Sequence, residues 1–232
     1  MRISILTLFP EMFEGPFGHS IVKRAVENKL LDIRLVNTRD FGLGAHRMVD
    51  DTPYGGGRGM VMRVDVLTDA INTTRDGKIA REREKVVLLD ARGEKFSQSH
   101  AASFSKLDHL MLICGHYEGV DERIRTKVDM TVSLGDFIMT GGEIPAMAIT
   151  DAVGRLVSGV LSDEATAVES FSAANSKEVL LEYPQYTKPR EYDGVAVPDV
   201  LLSGNHAEIA AWRKTSAKAI TVTHRPDLLS SH

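Results

Sequence analysis

The chain lacks most of the features that would make its class obvious. It has a single cysteine, Cys114, in 232 residues. One thiol cannot build an internal disulfide framework or a multi-cysteine zinc site. Closing the apolar run HLMLIC, it reads as a small buried hydrophobe. No apolar stretch reaches the ~18 residues of a membrane-spanning helix, so no membrane is expected as a partner. The opening MRISILTLFP lacks the longer apolar region and small-residue cleavage site of an export signal, and the cytoplasm is the expected compartment. An excess of positive charge is also missing. The 28 Lys and Arg stand against 32 Asp and Glu, a net charge of −4. That gives no electrostatic reason to expect nucleic acid, whose binders usually carry a strongly basic domain.

Several catalytic signatures are absent too. G-x-G-x-x-G fails after Gly42, where Arg47 takes the last glycine's place, and after Gly55, where Met60 does. There is no G-x-x-x-x-G-K-[ST] and no G-x-S-x-G, which removes the P-loop and the nucleophile elbow. His100, His109 and His116 are not spaced as H-E-x-x-H, and no metal ligand set is expected. What remains is 43% hydrophobic and 26% charged. That is a globular balance, unlike a disordered, collagen-like or coiled-coil chain, with room for one or two domains.

The pattern along the chain is that of an α/β protein. Residues 2–9 read as a strand stopped by Pro10. Ile21, Val22, Ala25, Val26 and Leu30 fall near a 3.6 period, and Leu31, Ile33 and Leu35 alternate as a second strand. A long glycine-rich loop follows (41–63), then a short helix near 65–73 and a charged stretch (75–85). Three short apolar runs, VVLL (86–89), HLMLIC (109–114) and MTVSL (130–134), each lead into glycine: DARGEKF, GHYEGVDER and GDFIMTGGE. Alternation of this kind predicts a buried, largely parallel sheet, whose ligands bind beyond the carboxyl ends of the strands. The three glycine-bearing loops therefore point to one crevice, although any one glycine also reads as an ordinary tight turn. Residues 143–158 predict a helix with Pro145 in its first turn. It is apolar nearly all round, so buried or in an interface. Residues 159–177, rich in Ser, Ala, Asp and Glu, predict a flexible linker between a domain at 1–158 and a helical one at 178–232. There Asn205 with Glu208 starts a helix in capping-box fashion, and Pro226 opens a last short one.

Four segments together resemble a known family: DDTPYGGGRGMVMR (50–63), ICGHYEGVDER (113–123), SLGDFIMTGGEIPAM (133–147) and LLSGNHAEIAAWR (201–213). In this order they resemble the bacterial tRNA (guanine-N1-)-methyltransferases of the SPOUT class, from Met1 to about Leu229. The resemblance implies a homodimer with a deep trefoil knot in its N-terminal domain. It also implies methyl transfer from S-adenosylmethionine to N1 of the guanosine 3′ of the anticodon in tRNA, with no DNA partner. It leaves Mg²⁺ assistance open.

Carried over residue by residue, the resemblance places the cofactor among Leu88, Leu89, Gly115, Tyr117, Glu118, Gly119, Ser133, Leu134, Gly135, Asp136, Phe137, Ile138, Met139, Gly141, Gly142 and Pro145. Tyr117 and Glu118 are the expected guanine contacts, by stacking and by accepting from the N1–H or N2 edge. Read alone, Glu118 is equally a solvated loop charge. The loop Gly55–Gly59 with Arg47, Arg58 and Arg63 is expected to follow the phosphate backbone, Gly57 and Arg58 at its centre. Without the resemblance it reads as a surface loop. For the chemistry, Arg155 matches the family's arginine, which steadies negative charge on the ring oxygen. Glu169 takes the place of the linker base that removes the N1 proton.

This chain also departs from the family. Glu169 stands where Asp is commonest, in a segment one residue shorter than in some relatives, which keeps Asp163 and Glu164 as reserve bases. Asp90-Ala91-Arg92-Gly93 replaces a common S-P-Q-G, and His116 replaces a common Arg. A non-catalytic RNA-binding module on the same scaffold, or a nucleotide-binding α/β protein without RNA, are the competing readings.

Overall fold

The computed structural model describes residues 1–172 and 179–229. The chain forms two compact units, Met1–Leu161 and Ser162–His232.

In the first unit, β1 (Arg2–Thr7) is followed by the short α1 (Glu14–Phe17) and by α2 (Ser20–Glu27). After β2 (Asp32–Asn37), a two-residue hairpin, β3 (Asp50–Asp51) with β4 (Val61–Met62), sits inside the long glycine-rich segment. Then come α3 (Val64–Thr74), β5 (Glu84–Lys95), α4 (Gln98–Phe104), β6 (His109–Cys114), β7 (Met130–Ser133) and α5 (Glu143–Gly154). Five strands pair in the order β2-β1-β6-β5-β7, every ladder parallel.

β1, β6 and the first half of β5 are buried on both faces, as the interior of a parallel sheet requires, while the edge strand β2 is half exposed. The two-residue period divides the side chains between the faces. Ile3, Ile5, Val87, Leu89, Leu110, Leu112 and Cys114 pack with Phe104 of α4 and Ile149 and Val153 of α5. Leu6, Val86, Leu88, Met111 and Ile113 pack with Val66, Leu67 and Ile71 of α3. Each fully buried aliphatic side chain contributes roughly 1.5–3 kcal/mol. α4 starts on a reciprocal cap in which the Ser97 hydroxyl serves the first turn and the His100 ring accepts from Ser97 N–H.

Two elements differ from the sequence expectation. The strand expected at 86–89 runs on to Lys95. Leu89 and Glu94 both pair with Val132, so Asp90–Gly93 bulge out and the strand resumes against β7. Gly93 permits this, because a Cβ there would stand 2.5 Å from Val132 backbone atoms. The helix expected to 158 ends at Gly154, with Arg155 as its C-cap.

The second unit holds α6 (Asp163–Ala167), a hairpin of β8 (Glu191–Tyr192) with β9 (Val195–Ala196), and α7 (His206–His224). The expected linker 159–177 carries α6, and its residues 173–177 lie outside the described ones. Asn205 caps α7, its side chain accepting from Ala207 and Glu208 N–H. The turn at Pro226 forms as a 3-10 helix, Pro226–Leu229. Trp212 packs against Tyr183 and Tyr186, and Arg213 lies over the Tyr183 ring at 4.8 Å.

Candidate active site

Three adjacent strands, β6, β5 and β7, end on the same edge of the sheet. The segments leaving them, Leu89–Arg92, Gly115–Val120 and Val132–Gly142, together with Pro145 of α5, enclose a cavity of about 490 Å³. This size suits a small organic ligand. Every residue that the resemblance assigned to the cofactor lines it except Leu88 and Asp136. Both exceptions have a physical reason. Strand alternation turns Leu88 into the α3-side core beside Leu89. Asp136 points outward, its carboxylate accepting from Lys95 Nζ at 2.6 Å.

The wall is built by close backbone approach. A Cβ on Gly142 would stand 2.6 Å from Cys114 Cα and 2.9 Å from Gly115 N. Gly142 N–H donates to Gly115 O at 2.8 Å, tying the third loop to the second. Tyr117 holds a left-handed backbone, φ 59°, and its ring meets the His116 ring edge-on at 5.0 Å. Strain of this kind, of order 1 kcal/mol or more, gathers at functional sites.

Behind the wall lies a buried acid that sequence reasoning missed. Glu143 is only 2% exposed, and its Oε1 accepts from the Thr7 hydroxyl at 2.9 Å. Its Oε2 lies 3.8 Å from His116 Nδ1, a buried nitrogen with no hydrogen-bond partner. A carboxylate directly after two glycines, opening an apolar helix, was the available signal. Burial, with Glu143 nearby, pushes the Cys114 thiol well above its ordinary value. Cys114 is fully buried, as its place at the end of an apolar run predicts.

The bulge Asp90–Gly93 is fixed by charge. Asp90 accepts from Arg92 N–H at 2.8 Å and from Arg125 Nη2 at 2.9 Å, while Glu122 pairs with both arginines. Burial works to raise the Asp90 carboxyl. The hydrogen bonds from Arg92 and the charges of Arg125 and Arg92 outweigh it and hold it below the ordinary range. Arg125, which sequence reasoning passed over, anchors this network.

The glycine loop adjoins the second wall. Glu118 N–H donates to Met60 O at 3.0 Å and Met62 N–H to Gly119 O at 3.0 Å. Gly59 backs directly onto the Glu118 side chain. Of the expected RNA contacts, Arg47 pairs with Asp40, and Arg63 with Asp51 and Asp65. Arg58 is exposed beside Gly57.

Arg155 does not join the cavity lining. Arg155 ends α5 in the first unit, its N–H bonded to Asp151 O. Glu169 is in the second unit, where Phe171 N–H bonds Leu180 O and Glu182 N–H bonds the Ser170 hydroxyl. Glu164 is exposed on α6, and the Asp163 side chain lies outside the described residues. No three His, Cys, Asp or Glu gather as a metal site among the described residues, and no helix there is long and apolar enough to cross a membrane.

A parallel α/β sheet whose carboxyl-end loops enclose a small-molecule cavity defines a nucleotide-type α/β enzyme scaffold carrying a second unit. Similarity narrows the class. The family model described as tRNA (Guanine-1)-methyltransferase TrmD matches residues 1–231, and the chain belongs to that family. It is 54% identical over 231 residues to the tRNA (guanine-N(1)-)-methyltransferase of Desulforudis audaxviator, covering 100% of this chain and 90% of that one. To the protein of the same description from Staphylococcus aureus it is 49% identical over 233 residues, covering 100% and 92%.

Proposed function

We propose that the chain transfers a methyl group from S-adenosylmethionine to N1 of the guanosine 3′ of the tRNA anticodon, as a cytoplasmic homodimer. The observation that carries this is the cavity at the carboxyl ends of β5, β6 and β7, lined by nearly all the residues the family resemblance assigns to the cofactor. Its relatives are named as enzymes, which leaves the non-catalytic module without support.

The residues fit S-adenosylmethionine. Glycines 115, 141 and 142 bring bare backbone to the cavity, where N–H and C=O groups can read an adenine edge. His116 Nδ1 adds an unpartnered buried polar atom at the wall. Leu89, Leu134 and Pro145 offer apolar contact for the rings. When bound, S-adenosylmethionine supplies an electrophilic methyl group on a positively charged sulfur.

The protein's part is to position the base and manage one proton. The target base leaves its stack to reach the cavity. Tyr117 and Glu118 hold its face and edge at the mouth. Glu169 takes the N1 proton as the N–C bond forms, and the Arg155 guanidinium steadies negative charge on the ring oxygen. Exposed Ile144 on α5, with exposed Phe137 and Ile138, supports a self-association surface, and the trefoil knot belongs to the same proposal.

The test is transfer from labelled S-adenosylmethionine, with Mg²⁺ present, to transcripts carrying guanosine or adenosine 3′ of the anticodon. The expected result is methylation of the guanosine transcript alone, lost in Glu169→Ala. Transfer surviving in that variant moves the base to Asp163 or Glu164. Absence of transfer by the wild type refutes the enzyme.

A further inference from the structure

Tyr54 is fully exposed, at 101% of its reference area. It sits on the loop between β3 and β4, followed by Gly55, Gly56 and Gly57 with φ of 86°, 79° and 134°. Such a run accepts no side chain without strain, so the sequence keeps bare backbone beside one aromatic ring. Thr52, Gly55, Gly56, Gly57 and Arg58 around it are also exposed. Tyr54 is the one exposed large hydrophobic side chain of the 52–60 loop, so the loop itself gives its ring no apolar patch that a protein partner would cover.

Charge selects the occupant. In the same unit Arg47, Arg63, Arg92 and Arg123 each hold a carboxylate. Among the described residues Arg58 has no such partner, four positions from Tyr54. A free guanidinium on the same short loop as an unpacked aromatic ring is the chemistry that binds single-stranded nucleic acid, one group for phosphate and the other for a base. The loop is also registered to the cavity wall through Glu118 N–H to Met60 O and Met62 N–H to Gly119 O. The carboxyl end of the loop that carries Tyr54 is thereby tied to the wall that carries Tyr117 and Glu118.

Resting on the reading of the chain as a tRNA methyltransferase, we infer that Tyr54 is a nucleobase platform, its ring stacking on a base that flanks the target guanine. When the target leaves the helix stack, its neighbours each lose a stacking face. Tyr54 supplies a replacement, lowering the cost of extrusion. The contact is indifferent to base identity, because every base has a π-face.

The test compares Tyr54→Ala, Tyr54→Leu and Tyr54→Phe in the full chain, by methyl-transfer kinetics and by Kd for tRNA. Tyr54→Ala is expected to raise the KM and Kd for tRNA about 5-fold to about 150-fold, the span of ~1–3 kcal/mol per stacked base. Affinity for S-adenosylmethionine should not change. Tyr54→Phe keeps the ring and should match the wild type, while Tyr54→Leu should resemble Tyr54→Ala. The slope of log Kd against log salt should stay unchanged in all three, whereas Arg58→Ala should lower it by about 1. A transcript with 2-aminopurine on either side of the target should show quenching by the wild type that Tyr54→Ala relieves. Wild-type tRNA affinity in Tyr54→Ala, or in Tyr54→Leu, overturns the platform. If the wild type binds tRNA without turnover, the Kd series still reads the contact, and only the enzymatic reading falls. If the wild type neither binds nor methylates tRNA, both fall.

Discussion

Gly142→Ala tests whether backbone approach builds the cavity. Its added Cβ would meet Cys114 Cα at 2.6 Å, Gly115 N at 2.9 Å and Cys114 C at 3.1 Å, where ordinary contacts lie at 3.4–4 Å. All three obstacles are backbone at the end of a fully buried central strand, so none can swing aside. The third loop must retreat by roughly 0.8 Å, stretching the 2.8 Å bond from Gly142 N–H to Gly115 O. Overpacking of this kind costs about 1–3 kcal/mol of stability. A misplacement approaching 1 Å in a wall that positions the donor costs up to ~100-fold in rate. The assays are titration calorimetry with S-adenosylmethionine, methyl transfer at saturating tRNA, and urea unfolding. Gly77→Ala is the control, since nothing lies within 4 Å of its Cβ position and its φ is ordinary. It should keep activity and gain about 0.4–1 kcal/mol. A Gly142→Ala protein with wild-type donor affinity and wild-type unfolding midpoint would refute the account of how the wall is made.

Further outcomes follow from the same contacts. Arg63→Ala should change the salt slope of tRNA binding less than Arg58→Ala, because Arg63 already serves Asp51 and Asp65; equal slopes contradict this. Burial pushes the His109 imidazole below its ordinary value, against the pull of Glu84. Below the unfolded value of about 6.5 the unfolded chain binds more protons, so stability is full above that pH and declines as pH falls through it toward the folded value. Urea midpoints between about pH 7.5 and about pH 5.5 should therefore drop more for the wild type than for His109→Gln; equal drops remove His109 as the cause. Asn205→Ala removes the side-chain acceptor for Ala207 and Glu208 N–H and should cost about 1 kcal/mol by chemical denaturation. No loss would mean that the α7 cap is made by solvent.

Much of the first unit was legible because parallel strands buried on both faces are short apolar runs, and glycine marks where each run must stop. What escaped was pairing across distance. Nothing in DARG says that a strand will resume after it, since that depends on Val132 standing opposite both Leu89 and Glu94. Glu143 escaped for a similar reason, because its burial makes sense only with Thr7, 136 residues away, donating to it. Leu88 was carried over with Leu89 as a pair, yet a strand sends neighbours to opposite faces and only Leu89 reaches the cavity. The proposed catalytic pair was legible only by resemblance. Arg155 and Glu169 fall in different units, and no local pattern relates a helix C-cap to a carboxylate 14 positions on.

The net charge of −4 pointed away from nucleic acid, and the fold explains why that signal misleads. Charges separated by more than a Debye length, about 8 Å at physiological salt, are largely screened, so RNA responds to the surface it touches and not to the chain's total. Much of this protein's charge is spent internally. Arg2, Arg75, Arg81, Arg83, Arg92, Arg125 and Arg225 all hold carboxylates, which fixes loops and strand ends and presents little field outward. A phosphate approaching Arg47 or Arg63 must compete with Asp40, Asp51 or Asp65. At Arg58 it meets no such competitor among the described residues. Affinity near the cavity is then expected to come from one free guanidinium, exposed glycine N–H groups and an aromatic face. All three can be gathered on a nine-residue loop, 52–60, of an acidic protein.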